Sequence, residues 1–96
     1  MKIKLTWDEK KRKTNLEKHK LDFAHAYDFE DDSALVAEDR RGETDPKFHY
    51  PERRFIALGL LRGKLVVLVY AIQPGARRII SLRPAESKEE KLWLGR

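Results

Sequence analysis

The sequence predicts one α+β domain: a small antiparallel sheet with helices packed mainly on one face, its elements in the order β-α-α-β-β-β-β-α. Three observations lead there. Three apolar runs, 54–61, 64–72 and 77–83, are separated only by Arg62-Gly63 and by residues 73–76, and linkers that short impose hairpins and so antiparallel neighbours. Ahead of them, residues 9–20 contain no Gly or Pro and no β-branched residue but Thr14, which suits a helix. Finally, 96 residues have room for one hydrophobic core, so residues 1–96 read as a single domain that needs no disulfide or metal staple.

Taken in order, residues 2–6 alternate lysine with apolar side chains, an edge-strand pattern that sets Ile3 and Leu5 opposite Lys2 and Lys4. Asp8 is the expected N-cap of the helix that follows. Leu16 is the only aliphatic side chain within that helix, which is therefore anchored through the line Leu16, His19, Phe23 and through Trp7 before it. Asp22 caps a second short helix over 23–30, with Phe23, Ala26 and Tyr27 turned inward. Residues 33–38 read as a short strand, whereas 39–51, charged and carrying one Gly and two Pro, read as a loop. The run 65–72 is apolar on both faces and should be the central, doubly covered strand, while 77–83 has one wetter face. Ser87-Lys88-Glu89-Glu90 matches a capping box opening a C-terminal helix, in which Trp93 is either a lid on the sheet or, with Leu92 and Leu94, an interface anchor.

Composition narrows the function. The longest apolar run has eight residues, against the roughly 20 of a membrane-spanning helix, and the N-terminus shows no apolar segment of a secretory signal, so a cytoplasmic protein without membrane contact is expected. The absence of cysteine removes thiol catalysis and Cys-ligated metal. The net charge of +5 divides into +5 over residues 1–20, −7 over 21–39 and +7 over 40–96, so two basic zones flank an acidic one. Clustered Lys and Arg are the electrostatic footprint of a nucleic-acid partner.

Two sets of residues have the make-up for chemistry. Asp8, Lys11, Asn15 and Lys18 fall on one helix face at steps of three, four and three, with His19 beside them. This stripe reads as a phosphate-contacting surface with an imidazole that carries a proton, or as a solvated helix face with His19 tucked against Leu16 and Phe23. In a meander, the starts of the first and third apolar runs lie at one end of the sheet, so Glu52, Arg53, Arg54, Arg77 and Arg78 converge near Tyr70. Arginine forks suit phosphate and a developing phosphorane, and Glu52 or His19 has the chemistry to deprotonate a ribose 2′-hydroxyl; the competing reading is a set of solvated ion pairs, such as Glu52 with Arg78. Arg83, on the same face as Arg77 and Ser81 but about 20 Å along the strand, would line an extended groove. His19 and His25 are six apart and share no helical face as zinc ligands would, and the acidic run Asp28, Glu30, Asp31, Asp32 lacks a calcium loop, so no metal or other cofactor is expected. On residues alone, a nuclease and a non-catalytic nucleic-acid-binding module both fit.

A resemblance separates these readings. Trp7-Asp8, Lys11, Asn15, Lys18-His19 and Phe23, then Glu52-Arg53-Arg54-Phe55-Ile56-Ala57 and Gly59, then Arg78-Ile79-Ile80-Ser81-Leu82-Arg83, Ala85 and Glu89 resemble, in order and separation, the BrnT family of toxins. The likeness implies a RelE-like fold and a metal-independent endoribonuclease that inhibits translation, within a type II toxin–antitoxin system. It further implies a BrnA-like antitoxin that neutralises the toxin and carries the contact with operator DNA. His19, Glu52, Arg53, Arg78 and Arg83 are then the catalytic candidates, and Lys11, Asn15, Lys18, Arg54 and Arg77 the RNA-binding ones. The chain departs from the pattern in a longer stretch over 42–49, in Pro51 where the family commonly has Gly, and in Pro84 where it has a basic residue.

Overall fold

The computed structural model describes residues 3–41, 45–48 and 52–96. The apolar alternation resolves into strands β1 (Lys4–Thr6), β2 (Leu35–Glu38), β3 (Arg54–Leu61), β4 (Lys64–Gln73) and β5 (Ala76–Pro84), with helices α1 (Glu9–His19) and α2 (Ser87–Leu94). The strands form one sheet in the order β1-β5-β4-β3-β2, with the doubly apolar β4 at its centre as expected. Arg62 and Gly63 make the β3–β4 turn with φ of 51° and 81°, the left-handed pair that matches strand twist.

Four structural expectations need correction. The sheet is mixed rather than antiparallel, because β1 pairs with β5 in parallel; the long connection through the helices and three other strands permits a direction that a hairpin forbids. The second helix is a 3₁₀ helix over Phe23–Asp28, and its buried Phe23 and Ala26, followed by Phe29, repeat every three residues, the period of that helix. Helix α1 is not held by Leu16, which is 37% exposed; its one buried residue is Asn15. Helix α2 is capped one residue earlier than expected: Glu86 is the N-cap, and its N–H donates to the Glu89 carboxylate at 2.8 Å. Half of the stretch 42–49 lies outside the described residues, as does Pro51, and within it Pro46–Phe48 form a 3₁₀ turn; Pro84 closes β5 opposite Val66.

Directly paired residues project to the same side of a sheet, so register assigns the faces. One face carries Phe55, Tyr70 and Ile79, then Ala57, Leu68 and Leu82, and packs on Leu21, Phe23, Ala26 and Phe29 as the main core. Phe23 is fully buried and alone contributes roughly 2–3 kcal/mol of apolar burial. The opposite face carries Arg54, Ala71 and Arg78, then Ile56, Val69 and Ser81, then Leu58, Val67 and Arg83; α2 covers only its far end, with Trp93 buried against Leu58 and Val67. Trp93 is thus the lid on the sheet, while Leu92 and Leu94 are exposed.

A bulge fixes which arginines share a face. Val69 lies opposite Ser81 but Tyr70 opposite Ile79, so Ile80 is one residue too many and the alternation of β5 inverts there. Simple period-two counting put Arg77 with Ser81 and Arg83. The bulge instead sends Arg78, Ser81 and Arg83 to the half-open face and Arg77 to the core face, with its guanidinium 4.5 Å from the Tyr70 ring centroid.

Candidate functional site

A groove of about 460 Å³ runs between α1 and β5, lined by Asp8, Lys10, Lys11, Thr14, Lys18, His19, Ile80 and Ser81, with Asn15 at its floor. Local sequence builds it. The Asp8 carboxylate accepts from the N–H groups of Lys10 and Lys11 at 2.8 and 3.3 Å and starts the helix, and Lys20 ends it in the left-handed conformation at φ 61°. Between these ends the helical period brings Lys11, Asn15, Lys18 and His19 to the side facing β5. Asn15 is buried and its amide is fully engaged, donating to Leu21 O at 3.0 Å and Leu82 O at 2.8 Å and accepting from Leu82 N–H at 3.3 Å.

His19 is partly buried, and its basicity is lowered below the usual imidazole value, first by desolvation and then by the positive charges of Lys18 and Arg83. A neutral imidazole is the proton-accepting form at neutral pH. Arg83, near enough to act on His19, is held in a two-pronged pair with Glu89, at 2.8 and 2.7 Å, that depresses the Glu89 carboxyl to about 2. Arg78 and Arg54 lie on the same face as Ser81 and Arg83, Arg78 three residues or ~10 Å before Ser81 along the strand.

The remaining candidates stand elsewhere. The Glu52 carboxylate, just ahead of β3, accepts from the Gln73 amide at 3.3 Å, and Gln73 in turn accepts from the Thr6 hydroxyl at 2.9 Å. Arg53 pairs with Glu38 at 2.9 Å and sits 5.3 Å from the Phe55 ring centroid; Arg77 pairs with Asp31 at 2.8 Å. The five charges expected to converge at this sheet end are therefore divided between its two sides, since neighbours along a strand point in opposite directions. His25 is a capping residue whose Nδ1 accepts from Asp22 N–H at 3.3 Å. His49 lies outside the described residues. Among the described residues, no three His, Cys, Asp or Glu side chains cluster as metal ligands.

Sequence reasoning missed two features of this region. The structural work of Asn15 was hidden because a polar residue on a polar stripe looks solvated. The Arg83–Glu89 pair had a signal, opposite charges six residues apart across the turn from β5 into α2, but strand-to-helix geometry was needed to join them.

An α+β domain that exposes lysines and arginines around a neutral-leaning imidazole has the make-up of a protein that processes nucleic acid. The model of the ribonuclease toxin BrnT of type II toxin–antitoxin systems matches residues 7–89, and the chain belongs to that family. Its class is accordingly that of a ribonuclease toxin, with RNA as target and an antitoxin as partner. Comparison with curated proteins gives no match.

Proposed function

We propose that the α1–β5 groove is the cleavage site of a metal-independent endoribonuclease of RelE-like architecture, which inhibits translation by cutting RNA in the cytoplasm. The observation that carries this reading is His19, its basicity lowered, in a groove walled by Lys11 and Lys18 opposite Ser81. In the proposed reaction His19 takes the proton of a ribose 2′-hydroxyl, whose oxygen attacks the adjacent phosphorus. The bond to the 5′ oxygen breaks, a 2′,3′-cyclic phosphate forms, and the departing oxygen takes a proton from a lysine ammonium or water. Lys11 and Lys18 offset the charge that builds on the phosphorane.

Arg78, Arg54 and Arg83 continue the basic track onto the half-open sheet face and receive flanking phosphates. Glu52, Arg53 and Arg77 are assigned to holding the sheet end, since each has a partner there. The partner in this reading is a BrnA-like antitoxin, through which operator DNA is contacted. The test is cleavage of an end-labelled RNA oligonucleotide with EDTA present: internal cuts bearing 2′,3′-cyclic phosphate are expected. Loss of cleavage in EDTA, restored by Mg²⁺, would sink the metal-free chemistry.

A further inference from the structure

Strand β1 pairs with β5 only over Ala76, Arg77 and Arg78, so the outer edge of β5 beyond Arg78 has no strand beside it among the described residues. At Leu82 that edge is completed by a side chain. Asn15 presents its oxygen to Leu82 N–H and its nitrogen to Leu82 O, as a neighbouring strand would, and its second amide proton goes to Leu21 O just past the helix end. One acceptor and two donors on a single planar group are what a carboxamide supplies and what leucine, serine or aspartate does not.

The bond sits at the middle of the groove. Lys11 lies one turn before Asn15 and His19 one turn after it, while Leu82 adjoins Ser81 on the opposite wall. From this geometry we infer that Asn15 is a positioning residue, which sets the separation of His19 and Lys11 from the β5 wall and does not itself touch RNA. This rests on the groove being the cleavage site. A helix held only by apolar contact is free to slide over a sheet, whereas three directional bonds to three backbone groups of Leu21 and Leu82 favour one depth and one rotation. The charges facing His19 are Lys18 on its own helix and Arg83 on β5, both cationic; Lys18 moves with His19, but a helix that lifts away from β5 lets the imidazole titrate higher as water relieves its desolvation and distance weakens the effect of Arg83.

The test uses Asn15→Leu, which keeps size without the three bonds, and Asn15→Ser, which keeps a polar group if the first variant folds poorly. Melting, His19 titration by NMR, and the kcat and KM for an RNA oligonucleotide are measured below the melting range. The expected result is a folded variant with kcat lowered on the order of 10- to 100-fold, KM within about threefold, and the His19 titration displaced upward. A folded variant with kcat and His19 titration as in the wild type overturns the inference, as does a loss that merely follows the unfolded fraction. If the wild type does not cleave, or His19→Gln cleaves as well as the wild type, the assignment of the groove fails instead, and the His19 titration in the Asn15 variants still decides whether Asn15 sets the helix position.

Discussion

His19 joins two properties that seldom coincide on a surface helix: partial burial and a cationic neighbourhood. Both disfavour the imidazolium, so the acid limb of cleavage should lie below the ordinary histidine value near 6.5, with activity falling as pH drops through it. The same depression means that unfolded chains bind this proton first, and the associated stability is present above the unfolded value and lost on acidification. His19→Gln should lower kcat by about 10²-fold or more with little change in melting; an unchanged rate profile from pH 5 to 8 in this variant would remove His19 from the chemistry. Arg78→Ala should raise KM severalfold with kcat near that of the wild type, as the loss of a flanking-phosphate contact does, whereas a fall in kcat of about 10²-fold would place the guanidinium at the transition state instead.

At the scale of elements, two contacts hold together parts of the chain that sequence keeps apart. Gly59 faces Phe29 so closely that a Cβ there would lie 2.8 Å from the ring carbon Cζ and 3.1 Å from Ala34 Cβ. Phe29 is a core residue whose backbone makes an antiparallel bridge to Leu61, and Glu30 N–H donates to Leu60 O at 3.0 Å, so the ring has little room to move. Gly59→Ala should destabilise by roughly 1–3 kcal/mol in urea unfolding; unchanged stability would mean that the ring yields freely. The second contact is Arg83 with Glu89, which ties α2 to β5 beside the far end of the second sheet face. Glu89 titrates at about 2 in the folded protein, against roughly 4.3 unfolded, so its contribution is present above that value and lost as pH falls toward 2. Glu89→Gln should flatten the acid side of the stability curve over that window, as measured by denaturant unfolding at successive pH values.

Across the whole molecule, the acidic zone spends its charge on arginines from other segments. Asp22 pairs with Arg12, Asp28 with Arg62, Asp31 with Arg77 and Glu38 with Arg53. The lining of the α1–β5 groove is itself cationic, with Lys10, Lys11 and Lys18 against the single carboxylate of Asp8. RNA binding should therefore weaken steeply with salt, and Lys11→Gln and Lys18→Gln should each make the slope of log K against log salt shallower by about 0.7, the single-strand value per phosphate. Binding insensitive to salt would place RNA on an apolar surface instead. Among the described residues, no helix is long and apolar enough to cross a membrane.

Sequence by itself determined what depends on local pattern. The hairpins of β3, β4 and β5 followed from short linkers, the central place of β4 from its two apolar faces, the start of α1 from Asp8, and the polar stripe of Lys11, Lys18 and His19 from the helical period. The motifs that resemble BrnT toxins carried the ribonuclease class. Tertiary structure alone decided what depends on partners distant along the chain. The parallel pairing of β1 had no linker signature, and the bulge at Ile80 is a mismatch between two strands that neither run encodes visibly. The split of Arg77 from Arg78 and Arg83 follows from that mismatch. Asn15 looked solvated because its partners, Leu21 and the backbone of Leu82, become neighbours only when the helix meets the sheet. A side chain's chemistry is local, but its burial and its hydrogen-bond partners are properties of the packed chain, and these separate a residue that meets RNA from one that holds the groove in shape.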